Sequence, residues 1–183
     1  MPTRALPDLL TEIHTAFAAA VPLVAVAAGA SQGPAGTGPP VAGEMESPWL
    51  KLPEEVVTAS WANRATLPVA DLRQYLPAWL CYALRPAGAS PLDVKSLLEL
   101  LRLPTELPPP TTVNSVDLAA QLQEQLDLTN EALRTFISWM NQLTPAQGRA
   151  VSHFLEYVRD SSGERDWSQV ADRALQRYWF RYS

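Results

Sequence analysis

Residues 76–84 read Leu-Pro-Ala-Trp-Leu-Cys-Tyr-Ala-Leu, and none of them is charged. Joined to Asp71 to Tyr75 before it, the run is long enough to favour helix over strand. A helix that is apolar on nearly all sides must be surrounded by other helices. Leu72 to Leu84 is therefore expected to be the central element of an all-α domain. Pro77 lies inside it. Proline lacks the amide hydrogen and crowds the preceding turn, so it either kinks this helix or begins a new one after Leu76.

Helical spacing continues on both sides. Upstream, Leu6, Leu9, Leu10, Ile13 and Phe17 recur at three and four residues. They draw one apolar stripe on a helix that starts near Pro7 and that Pro22 should end. Residues 27–47 are rich in Gly, Pro, Ala and Ser without periodicity, which reads as a flexible loop. Pro53 followed by Glu54 and Glu55 predicts a short helix, with proline and acids in its first turn. A strand through Val56 and Val57 is the alternative.

Downstream, Ser90 and Pro91 form a cap and first-turn pair for a helix carrying Leu92, Leu97, Leu98 and Leu101, closed by Pro104. Residues 104–114 read as a proline-rich loop. Ser115 can cap the next helix, with Leu118, Leu122 and Leu126. Leu133, Phe136, Ile137 and Met140 make a further stripe. No Gly or Pro separates Ser115 from Gln142, so one long helix is open. A break near Asp127 to Asn130 is favoured, because residues that compete for backbone hydrogen bonds cluster there. Thr144-Pro145-Ala146-Gln147 is the clearest local signal: threonine caps, proline fills the first turn, and glutamine reaches back to the cap amide. That helix should bury Val151, Phe154, Leu155 and Val158. After a turn at Gly163, Asp166 with Gln169 starts a last helix, whose apolar face is Trp167, Val170, Ala171, Ala174 and Tyr178.

Length and composition set the frame. The chain has 183 residues, 47% of them apolar and 18% charged. That is one domain over residues 1–183, with a full hydrophobic core. The 14 basic and 19 acidic side chains give a net charge of −5, which argues against a general nucleic-acid binder. The single cysteine excludes an internal disulfide and a cysteine-based zinc cluster. Residues 16–30 are uncharged but too few to span a bilayer. Asp8 and Glu12 precede them where a signal peptide would be basic. A cytoplasmic protein with no membrane partner is expected. Twelve arginines against two lysines, with abundant alanine and proline, match the codon usage of a GC-rich bacterial genome.

The stretches DLRQYLPAWLCYAL (71–84) and LTPAQGRAVSHFLEYV (143–158), with ALQRYW (174–179) at the end, resemble a family of uncharacterised bacterial proteins. That family pairs a "YLPA" helix with a later "TPxQ" helix and closes on a helix with a Tyr-Trp ending. The resemblance implies a helical domain of no assigned activity, and it carries no functional residue over.

The residues themselves nominate little chemistry. Cys81 sits in the apolar run, with no charge before Arg85, and reads as a small buried hydrophobe. His14 and His153 are the only histidines. His153 and Glu156 have a spacing that can hold a metal. Arg149, His153, Glu156 and Asp160, however, trace the solvated face opposite Val151 and Phe154, so no metal is expected. No nucleophile elbow, P-loop or dinucleotide fingerprint appears, and no catalytic residue or cofactor is nominated. Arg173, Arg177 and Arg181 recur every four residues beside Trp179, and these four are the candidate partner-contact surface. The reading is a non-enzymatic interaction or regulatory module with a protein partner or self-association. The alternative is a hydrolase-like or metal-dependent enzyme built from scattered acids and histidines.

Overall fold

In the computed structural model the described residues are 5–18, 52–85, 92–104, 115–161, 163 and 165–182, without the side chains of 69, 70 and 115–121. The loop expected at 27–47 and all but Pro104 of the one expected at 104–114 lie outside them. The elements are α1 (Leu6–Ala16), α2 (Glu54–Ala62), α3 (Val69–Ala83), α4 (Val94–Leu101), α5 (Ser115–Met140), α6 (Pro145–Ser161) and α7 (Arg165–Arg177), followed by a 3₁₀ turn (Trp179–Tyr182). No strand occurs among the described residues, and Val56 and Val57 are helical. The all-α expectation holds.

Helix α3 packs against α1, α2, α4 and α5. Its Leu76, Ala78, Trp79 and Leu80 are fully buried, as an all-round apolar run requires. The helix runs continuously through Pro77. It shares the centre with α6, which packs against α1, α7 and the 3₁₀ turn and buries Val151, Phe154 and Leu155 completely. The stripe on α1 supplies Leu9, Ile13 and Phe17 to the same core, all fully buried.

Side-chain hydrogen bonds tie distant segments inside this core. Trp79 Nε1 donates to Ser60 Oγ at 3.0 Å. The Tyr82 hydroxyl donates to the Leu52 carbonyl at 2.7 Å. Trp179 Nε1 donates to the Leu101 carbonyl at 2.8 Å, joining positions 78 residues apart. The start of α6 is the reciprocal box expected: the Thr144 amide donates to Gln147 Oε1 at 3.0 Å, and the Gln147 amide to Thr144 Oγ1 at 3.3 Å. Gly148 lies under the Tyr182 ring, where an added Cβ would stand 2.5 Å from a ring carbon.

Four boundaries differ from the sequence reading. Helix α1 ends at Ala16, with Phe17 as its C-cap, before Pro22 could act. The cap of α4 is Asp93, not Ser90: its carboxylate accepts from the Lys95 and Ser96 amides, so the helix starts three residues later than expected. Helix α7 begins at Arg165, which leaves Asp166 in the first turn instead of at the cap. The largest difference is α5, a single helix of 26 residues with no break at Asp127 to Asn130. Gln123 Nε2 donates to Asp127 Oδ1 at 3.1 Å, one turn away. That bond occupies the aspartate along the helix surface and removes it as a competitor for the backbone.

Candidate functional site

The foot of α5 forms one wall of a groove of about 590 Å³. The turn after α2 supplies Arg64, Ala65 and Leu67, and α3 supplies Leu72. Helix α4 and its exit supply Glu99, Leu100, Arg102 and Pro104. Helix α5 supplies Leu128, Glu131, Ala132, Thr135, Phe136 and Trp139. Four separated segments thus build a cleft whose floor is apolar and whose rim is charged. Its volume falls in the range of small-molecule sites, roughly 300–1,000 Å³.

The two arginines stand in different electrostatic positions. Arg102 Nη2 is 2.7 Å from Glu99 Oε2, a pair one helical turn apart that neutralises itself. Arg64 lies over the Trp61 ring, 4.2 Å from its centroid, and its Nη1 donates to the Trp61 carbonyl at 3.0 Å. Among the described residues no carboxylate pairs with Arg64. The stacking and the backbone bond hold the guanidinium in place while other donors stay available. A smaller hollow of about 270 Å³ shares Arg64, Glu99 and Leu100 with the groove and adds Lys95.

Trp139 is 2% exposed, and its Nε1 has no acceptor among the described residues. No local sequence signal singles out this donor.

The residues nominated from sequence lie elsewhere. Arg173, Arg177 and Arg181 are exposed. Trp179, grouped with them, is fully buried and cannot belong to that surface. The helix stops at Arg177 and the 3₁₀ turn rotates Trp179 into the core. The same turn takes Arg181 out of the helical row and sets it over the Tyr178 ring, 3.9 Å from the centroid. Phe180 is left 64% exposed.

His153 does not face solvent freely, as its place beside Arg149 and Asp160 suggested. Its Nδ1 lies 2.7 Å from Glu12 Oε1, an interaction that fastens α1 to α6 across 141 residues of sequence. No group of three or more His, Cys, Asp or Glu side chains placed to hold a metal occurs among the described residues. Cys81 is 2% exposed, and burial pushes its thiol up to about 12 against the lowering pull of Arg85. A thiol so shifted carries almost no thiolate at neutral pH and is a packing group. Among the described residues no helix is long and apolar enough to cross a membrane.

A family model matches residues 37–183, and the chain belongs to that family, described as a family of unknown function (DUF6714). Helix α1 precedes the matched stretch. No curated protein and no solved structure matches the chain.

Proposed function

We propose that this chain is a non-enzymatic interaction or regulatory module, and that its partner is a protein gripped by α5. One observation supports the reading. Leu122, Leu126, Leu133, Ile137 and Met140 follow one another at steps of four, seven, four and three residues. At 100° per residue they fall within an arc of roughly 60°. Met140, at the foot, is buried, while Leu122, Leu126 and Ile137 are 37%, 44% and 41% exposed. One apolar face therefore begins in the core and continues into solvent. Isolated exposed leucines are ordinary, whereas a contiguous row marks an interaction surface. Helix-in-groove recognition reads such rows through anchors three and four residues apart.

Arg173, Arg177 and Arg181 are proposed as a second contact for the same kind of partner, because arginine beside aromatics is enriched at interfaces. A cytoplasmic, bacterial setting belongs to the same proposal, and its support is the arginine-rich composition and the lone cysteine.

Photocrosslinking tests the reading. A photoreactive residue at Leu122, Leu126 or Ile137, in cells that express the chain, should give discrete protein adducts. The same probe at exposed Asp8 should give none. A triple change to glutamate at the three apolar positions should remove partner capture and leave the melting temperature within a few degrees. Adducts equally abundant from Asp8 would overturn the proposal.

A further inference from the structure

We infer that the groove between α5, α4 and the turn after α2 is a binding site for a small apolar monocarboxylate. The inference is independent of the protein-partner reading, because it concerns a different face of α5. Leu128, Ala132, Thr135 and Trp139 line the groove, whereas Leu122, Leu126 and Ile137 do not.

The buried indoles supply the first argument. Among the described residues three tryptophans are 2% exposed or less: Trp79, Trp139 and Trp179. Trp79 donates to Ser60 and Trp179 to Leu101. Trp139 alone of the three has no described acceptor, and it lines the groove. A buried donor left unpaired is costly, so folds ordinarily satisfy it. The Trp139 Nε1 is itself closed off from solvent, so an acceptor in the groove would pair with it only after a small side-chain shift.

Charge supplies the second argument. Arg64 is half-buried, held by Trp61, and has no described carboxylate partner. Lys95 lines the adjoining hollow beside it. Of the acids around the cleft, Glu99 is neutralised by Arg102. Glu131 is exposed, where water screens it. Asp93, near Lys95, already accepts from two backbone amides and the Ser96 hydroxyl. The groups with spare capacity on the buried side are thus donors, one of them cationic. The matching head group is an anionic acceptor, and a planar carboxylate suits a guanidinium best. Leu67, Leu72, Leu100 and Phe136 then take an apolar body.

The test uses octanoate as the probe, with 1-octanol and octylamine as controls, on the full chain. Calorimetry should show saturable binding of one octanoate per chain, accompanied by a change in tryptophan emission. The alcohol and the amine should bind at least about tenfold more weakly, the loss expected when a charge-assisted hydrogen bond is removed. Arg64→Gln should weaken octanoate about ten- to a hundredfold by the same rule. Glu131→Gln should leave binding equal or slightly tighter. Ala132→Phe, a change at an exposed position on the groove wall, should fill the cleft and abolish binding without lowering the unliganded melting temperature. Absence of saturable octanoate binding by the parent chain would overturn the inference. So would octylamine binding as tightly as octanoate, or undiminished binding by Ala132→Phe.

Discussion

Trp179 and Trp139 are both buried, at 0% and 2% exposure, but only the first has an acceptor for its indole among the described residues. Around Trp179, α6, α7 and the 3₁₀ turn close on one another: its indole donates to Leu101, and its ring meets Tyr178 edge-on at 5.2 Å. The Tyr182 ring covers Gly148. Around Trp139, the indole lacks a described acceptor, a groove opens, and an apolar row runs up α5 into solvent. The two regions meet where Phe136 packs edge-on against Tyr178 at 4.9 Å, and the buried Tyr178 hydroxyl has no described partner either. Apart from the Tyr178 hydroxyl at the boundary, the first region pairs its indole and packs its rings internally, which is what stability alone demands. The other leaves apolar area and hydrogen-bonding capacity unused, which stability alone does not explain.

The strongest way to break that contrast is to remove the Trp179 ring. Trp179→Ala should cost about 3–5 kcal/mol, as large aromatic truncations in a packed core do. It also strands the Leu101 carbonyl. Urea unfolding should show the loss as a lower midpoint at unchanged slope. A loss under about 1 kcal/mol would mean that the C-terminal turn is not part of the cooperative core.

Subtler and more diagnostic is the pair of phenylalanine variants. Both replace an indole by a smaller ring, so their packing losses are comparable. Trp179→Phe in addition leaves a buried carbonyl unpaired, whereas Trp139→Phe removes a donor with no described acceptor. Trp179→Phe should therefore be the more destabilising by about 1–3 kcal/mol. Equal losses would show that Trp139 Nε1 has a partner in the folded chain.

Much of this fold was legible because its signals are local. The box at Thr144 to Gln147, the proline and acids at Pro53 to Glu55 and the stripe on α1 each need only adjacent residues. The apolar run at 76–84 needs only its length. Where the reading failed, two local signals competed and the sequence alone did not rank them. The Gln123–Asp127 bond carried α5 through its expected break. The Asp93 carboxylate outcompeted Ser90 as the α4 cap. The row Arg173, Arg177, Arg181 presumed a helix that ends at Arg177, so Trp179 was misplaced onto the surface. The groove was not legible at all. Arg64, Glu99 and Trp139 come from separate segments, and no sequence spacing joins them.

The two helix caps sharpen the comparison at smaller scale. Thr144→Ala should cost about 1 kcal/mol, since it removes one half of the reciprocal box. Asp93→Ala should cost a similar amount at neutral pH. Only the second effect should depend on acid. The Ser96 hydroxyl, and then the Ser96 and Lys95 amides, hold the Asp93 carboxyl below its ordinary value. A carboxyl lowered on folding contributes stability that is complete above its unfolded value of about 3.9 and is lost as pH falls through the lower folded value. The gap between parent and Asp93→Ala should therefore shrink below about pH 4, while the Thr144→Ala gap stays constant. Asp93 is exposed, so the acid-dependent part will be a fraction of the whole.

The smallest expected effect lies on α5 itself. Leu126→Gln replaces a side chain that is 44% exposed on a helix whose described anchorage is at its foot, through Phe136, Trp139 and Met140. Glutamine has nearly the helix propensity of leucine, so the backbone term is small. Little buried area is lost, and the change in stability should stay within about 0.5 kcal/mol. The same substitution at buried Leu155 on α6 should cost several times more, because it buries an amide as well as removing packing. Hydrogen exchange should follow the same order, with the amides at 122–130 exchanging faster than those at 150–158. If Leu126→Gln instead lowered stability by 2 kcal/mol or more, about the scale of a buried-leucine loss, that leucine would be covered in the folded chain. The apolar row would then belong to this molecule's own core and not to a partner.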